Sequence, residues 1–247
     1  VVKRRTAETR DRVSRPCPAT HTQERMVHMK LETGSVLLFN GDSITDCGRV
    51  RPVGGAPYGL GSGYPALVDG MLTAFRPEER IRVLNTAVSG DTIRQMAARW
   101  QQDTLELHPD WVAVMIGIND VWRHFDVPFN PAPMVDFPEY VDTYRRLIEQ
   151  TLPKVKGMVL MAPYYIDRNE QDPMTAMVRK YAAAVKELAG EYGLVFCDVQ
   201  AAFEQVQEKL HHMAFSADRV HPNGGNNIGH FIIAKAFLNA IGAWPLD

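Results

Sequence analysis

Cysteine is scarce in this chain. The three among 247 residues, Cys17, Cys47 and Cys197, form no CxxC and cannot all pair. That excludes a disulfide scaffold or a zinc ribbon and points to a reducing compartment, the cytoplasm. Long apolar runs are also missing. Trp111–Ile118 is short, and Phe231–Ile241 is interrupted by Lys235 and Asn239; a membrane helix needs ~18 apolar residues. The basic N-terminal segment has no continuous apolar stretch and does not read as a secretory signal. Glycine (18) and proline (16) are too few and too scattered for a collagenous or low-complexity chain. Charge of one sign is lacking too: the net value is −2, so the total gives no reason to expect a nucleic-acid partner. Residues 1–30 nevertheless carry a net +5, against −7 for the remainder.

What is present divides into an arm and a body. Val1–His28 is polar, rich in Arg and Thr, and without periodicity, which predicts a disordered arm ahead of one domain spanning Met29–Asp247. Within the body, apolar runs at Ser35–Phe39, Arg82–Leu84, Trp111–Ile116, Gly157–Met161 and Leu194–Val199 predict strands buried on both faces. Helical periodicity lies between or after them at Tyr64–Phe75, Thr92–Leu107, Tyr140–Leu152, Met174–Tyr192 and Ile228–Ile241. Alternation repeated five times predicts a three-layer α/β sandwich around a five-stranded parallel sheet. A TIM barrel needs eight such units.

In an open parallel sheet, ligands bind beyond the carboxyl ends of the strands. Gly41-Asp42-Ser43-Ile44-Thr45 follows the first run, and Asn85 through Asp91 follows the second. The third run leads into Gly117-Ile118-Asn119-Asp120, and Asp218-Arg219-Val220-His221-Pro222 precedes the last helix. A hydroxyl, an amide, a carboxylate and an imidazole on one rim supply what acyl transfer requires. Ser43 is the candidate nucleophile, His221 its base, and Asp218 the carboxylate that fixes the imidazole tautomer. The Ser43 N–H, the Gly90 N–H and the Asn119 side-chain amide are candidate oxyanion donors.

These four blocks resemble those of the SGNH (GDSL-type) hydrolases over roughly Leu37–Ile241. Within that family, Gly41 through Arg49, Met115 through Arg123 and Asn169 through Met174 are most similar to carbohydrate acetylesterases, acetylxylan esterases in particular. The resemblance implies a flavodoxin-like sheet, a Ser-His-Asp esterase and no metal or other cofactor; homo-oligomerisation is an expectation it alone carries. One departure stands out. Between His221 and Gly229-His230 the chain reads Pro-Asn-Gly-Gly-Asn-Asn-Ile, longer than the usual connection. Extra residues beyond the catalytic loop only delay the last helix, whereas a disturbed turn would displace His221, and small displacements cost about 10²-fold.

Rival readings fit less well. A Gly-x-Ser-x-Gly elbow is absent because Thr45 holds the fifth position, and the P-loop pattern is missing. Gly59-Leu60-Gly61-Ser62-Gly63 is a partial dinucleotide fingerprint that follows no strand and reads as a flexible rim loop. His211-His212 reads as a solvated pair on a helix, and Cys47 as packing. A glycan-binding relative without catalysis would lack part of the constellation, which is complete here. Hydrolysis and acyl transfer to another acceptor share one acyl-enzyme and stay open, as do other short acyl esters, thioesters and lipids.

For the substrate, Tyr58, Tyr64, Trp122, Arg123, Tyr164 and Tyr165 fall near the rim, where aromatic faces with polar tips suit sugar rings. Together with Asp42 beside the nucleophile, Tyr64, Trp122, Arg123 and Tyr164 are the candidate substrate-binding residues. The expected reaction is removal of acetyl groups from acetylated carbohydrates such as xylo-oligosaccharides, with neither membrane nor nucleic acid as partner. The rate is expected to fall below roughly pH 6.5 as the base protonates.

Overall fold

Apolar strands need covering on two faces, and the chain supplies helices for both. The computed structural model describes residues 29–126, 134–223 and 226–245. The arm predicted for Val1–His28 lies outside them. In chain order the elements are β1 (Val36–Gly41), α1 (Ser43–Asp46), β2 (Gly54–Gly55), α2 (Tyr64–Phe75), β3 (Arg82–Asn85), α3 (Ile93–Asp103) and β4 (Trp111–Met115). There follow α4 (Ile118–Trp122), α5 (Phe137–Thr151), β5 (Gly157–Met161), α6 (Pro173–Glu191), β6 (Val195–Cys197), α7 (Val199–Gln207) and α8 (Ile228–Ala240).

Five strands run parallel in the order β3-β1-β4-β5-β6, the flavodoxin-like arrangement. The sheet differs from the expected five strands by a sixth, β2, which pairs antiparallel with β3 through Gly54↔Asn85 and Gly55↔Leu84. Two glycines carry no strand signal, so this edge is set by the partner and not by propensity. Helices α2, α7 and α8 pack together, as do α3, α5 and α6, giving the three layers. Central β4 has all five residues buried. The buried Trp100 indole donates to Thr151 Oγ1 at 3.0 Å, tying α3 to α5.

Local signals end the elements. Asp172 caps α6 by accepting from the Thr175 N–H, with Pro173 in the first turn where no donor is required. Thr92 and Gln95 form a reciprocal capping box on α3. The last strand stops at Cys197, because the Asp198 carboxylate caps α7 and turns Val199 into a helix, not the end of a strand.

The order of strands reverses between β1 and β4, so a crevice opens beyond their carboxyl ends. Gly41 ends β1 against Met115, and a Cβ there would meet the Met115 carbonyl at 2.3 Å. Only glycine lets the chain turn toward Ser43 at that spacing. Among the described residues, no helix is long and apolar enough to cross a membrane.

Candidate active site

Ser43 is the first residue of α1, immediately beyond β1. The Asp42 carboxylate caps that helix by accepting from the Ile44 N–H at 3.0 Å. Ser43 Oγ lies 2.9 Å from His221 Nε2, and His221 Nδ1 lies 2.7 Å from Asp218 Oδ2. Asp218 Oδ1 accepts the backbone N–H of Val220 at 3.0 Å and of His221 at 2.7 Å. One carboxylate thus orients both the ring and the backbone that carries it. Burial pushes the Asp218 carboxyl up, but its hydrogen bonds from His221 and Val220 prevail and hold it below the usual carboxylate range. The lengthened connection leaves this geometry intact: α8 begins at Ile228, beyond the loop that carries Asp218 and His221.

The proposed oxyanion donors come from three loops. Neither the Ser43 N–H nor the Gly90 N–H donates to any described residue. Gly90 sits at φ +87°, a backbone conformation that L side chains rarely adopt. Asn119 is buried and gives one amide hydrogen to the Asp91 carbonyl at 2.9 Å, which leaves its second for a ligand. The adjacent Asp120 is buried, accepts from the Ile93 N–H, and is pushed up to about 7 by desolvation. It anchors α3 to α4 below the rim.

Of the candidate substrate-binding residues, Trp122 lies beside the imidazole, its ring centroid 5.7 Å from that of His221. Arg123 is half-buried, pairs with Asp126 and lies over the Trp122 ring. Three others belong beneath the site. Asp42 is 1% exposed, and burial pushes it up to about 7. Tyr64 and Tyr164 have no exposed surface, so neither ring can stack on a sugar. The Tyr64 hydroxyl bonds Thr45 Oγ1 at 2.9 Å, and the Tyr164 hydroxyl donates to the Val220 carbonyl at 3.1 Å. Their hydroxyls hold α1 and the loop that carries His221.

The cleft itself is lined by Ser43, Cys47, Ser62, Ser89, His221, Asn223, Asn226 and Asn227 and encloses about 610 Å³. Sequence reasoning passed over Ser62, Ser89 and the three asparagines, because serine and asparagine in loops read as turn formers. The only signal was the departure after His221, and it touched the asparagines alone. The glycine-rich rim loop is also less free than expected: Ser62 N–H donates to the Cys47 carbonyl at 3.0 Å and Asn227 Nδ2 to the Ser62 carbonyl at 2.7 Å. The His211 and His212 rings lie close together, centroids 4.2 Å apart and tilted by 37°. His212 opens a short 3-10 turn that His211 caps, in place of the expected α-helix.

A flavodoxin-like sheet that carries a serine, a histidine and an aspartate in hydrogen-bonded series at its switch point defines a serine hydrolase of the α/β class. The GDSL-like lipase/acylhydrolase family model matches residues 39–225. The chain belongs to that family. It is 50% identical over 215 residues to an acetylxylan esterase of Geobacillus stearothermophilus, covering 87% of this chain and 97% of the relative. The crystal structure of Axe2, an acetylxylan esterase from the same organism, superposes with a TM-score of 0.83 at 50% identity, covering 87% and 97% of the two chains. Catalytic mutants of Axe2 with a serine, an aspartate or a histidine replaced by alanine are also among the matches. LAE5, an alpha/beta hydrolase enzyme from the metagenome of Lake Arreo, Spain, matches at TM-score 0.82 and 44% identity, covering 86% and 97%.

Proposed function

We propose that this protein is a serine esterase that removes acetyl groups from acetylated xylo-oligosaccharides. The observation that carries the reading is the unbroken series Ser43 Oγ, His221 Nε2, His221 Nδ1, Asp218 Oδ2, with contacts of 2.9 and 2.7 Å. The half-identical acetylxylan esterase supports the substrate class.

The steps follow from that geometry. Ser43 Oγ attacks the acetyl carbonyl while its proton passes to His221 Nε2. Asp218 holds the ring in the tautomer whose Nε2 is free to receive that proton, and stabilises the imidazolium. The Ser43 and Gly90 N–H groups and the Asn119 amide take the oxyanion. Collapse expels the sugar alkoxide, which receives the proton from His221. Water, deprotonated by the same nitrogen, then attacks the acyl-enzyme and releases acetate.

Free thiols at Cys47 and Cys197 support a cytoplasmic location. The deciding experiment is acetate release from acetylated xylo-oligosaccharides at neutral pH with chelator present, comparing the intact protein with Ser43→Ala. Release by the intact protein alone is expected. Equal release by both would remove Ser43 from the mechanism, and none from either would redirect the search to other acyl esters.

A further inference from the structure

The side chains that line the cleft beside the nucleophile are serine, asparagine, cysteine and histidine, with no Asp, Glu, Lys or Arg and no aliphatic or aromatic hydrocarbon residue among them. A long acyl chain finds no aliphatic or aromatic side chain among them to lie against, and a phosphorylated carrier finds no Lys or Arg. What remains is a set of hydrogen-bonding groups whose free valences can be worked out one at a time.

Buried His230 supplies the starting point. The Tyr64 N–H donates to its Nδ1 at 3.3 Å, so that nitrogen is the unprotonated one and Nε2 carries the hydrogen. Desolvation, with His221 nearby, pulls this imidazole down to about 4, which keeps it neutral and in that tautomer near pH 7. The Nε2 hydrogen then requires acceptors, and Asn223 Oδ1 lies at 3.3 Å and Cys47 Sγ at 3.4 Å. The Cys47 thiol can accept because its own hydrogen is directed to the Ile44 carbonyl at 3.4 Å. With Oδ1 committed to His230, the Asn223 Nδ2 group is left as a donor for the cleft.

The neighbours complement it. Asn227 commits Nδ2 to the Ser62 carbonyl and keeps Oδ1 as an acceptor. Ser62 Oγ donates to the Cys47 carbonyl at 3.3 Å and Ser89 Oγ to Asp46 Oδ2 at 2.8 Å, so both oxygens retain lone pairs. Asn226 is exposed and its amide bonds no described residue, leaving a donor and an acceptor together. Donors and acceptors mixed around one opening match hydroxyl groups, each of which gives one hydrogen bond and accepts others.

From these valences we infer that Asn223, Asn226 and Asn227, in the segment that follows the catalytic histidine, form a hydroxyl-reading wall that binds the neutral sugar on the leaving-group side of the ester. Asn226 is the specificity-determining residue in this wall. His230 is a positioning residue that fixes which end of the Asn223 amide meets the ligand. The inference rests on the esterase reading and extends it: the triad performs the chemistry, and the asparagines choose the alcohol.

The test compares kcat/KM on an acetylated xylo-oligosaccharide with kcat/KM on an aryl acetate, which offers no hydroxyls. Replacing one neutral hydrogen-bonding group typically costs about fivefold to tenfold in binding. In Asn226→Ala the ratio of sugar to aryl ester should fall by about that factor, chiefly through KM, and further in Asn223→Ala/Asn226→Ala. Asn226 is exposed and makes no side-chain hydrogen bond to the described residues, so its truncation leaves the packing alone. An unchanged ratio, or an equal loss on both substrates, overturns the amide wall while the esterase assignment stands. An intact protein that cleaves the aryl acetate but not the acetylated sugar overturns the wall and the sugar substrate together, leaving an esterase of other acyl esters.

Discussion

The Tyr164 hydroxyl donates to the carbonyl of Val220, 3.1 Å away, so a buried phenol at the end of β5 holds the peptide that carries His221. The contact reaches the base through its backbone, independently of Asp218, which grips the same loop by the Val220 and His221 N–H groups.

Tyr164→Phe removes that donor and strands a buried carbonyl. Urea unfolding should show a loss of about 1–3 kcal/mol. Activity should fall mainly in kcat, since the substrate's own contacts are untouched. A variant as stable and as active as the parent would mean that Asp218 alone suffices to place the loop.

Asp218→Asn should be far more severe for activity than for folding. The amide can hold the imidazole in the wrong tautomer, a change that costs about 10⁴-fold in kcat where a serine protease has been tested. Circular dichroism should remain that of the parent. Activity within tenfold of the parent would show that Asp218 does not serve His221 in this way.

Asn119→Ala removes one proposed oxyanion donor, and losses of ~10²–10³ in kcat are typical of such sites. KM should change little, because the charge it stabilises exists only past the ground state. A rise in KM with kcat preserved would move Asn119 from the transition state to substrate binding.

His230 ties stability to pH. Its folded value, about 4, lies below the ordinary 6.5, so between these values the unfolded chain binds more protons than the native one. The contribution is complete above pH 6.5 and is lost as pH falls toward 4, a change of about 3 kcal/mol over the window. Asp42 and Asp120, pushed up to about 7, act with the opposite sign, their stabilisation fading as pH rises toward 7. Comparison with His230→Gln cancels them. The stability difference, parent minus variant, should shrink by urea titration from pH 7 to pH 4; a constant difference would mean that His230 titrates normally.

Much of this architecture was legible in the sequence because the signals were periodic. The stripe in Tyr64–Phe75 gave α2 with its ends in place, and the parallel strands fell where β-branched and aliphatic runs lay. The elements that escaped were short. Helices α1 and α4 have four and five residues, too few to display a period, and α7 hid behind Asp198, whose capping role depends on where β6 stops. At the site, Ser43, Asp218 and His221 stood out through their spacing. Tyr64 and Tyr164 misled because an aromatic near a strand end carries no sign of which side of the surface it occupies. The cleft asparagines were silent for a different reason: their value lies in which hydrogen-bonding valences remain free, a property of partners distant in sequence such as His230 and Ser62.

Asp46 receives both the N–H and the hydroxyl of Ser89 at 2.8 Å through one carboxylate oxygen, and also pairs with Arg51. The turn holding Gly90 is thereby clamped to the same short helix that holds Ser43, while Asn226 makes no side-chain hydrogen bond to a described residue. If the asparagines choose the alcohol as proposed, Asn223, Asn226 and Asn227 are the positions at which to begin redesign, because the Asp46–Ser89 clamp involves none of them.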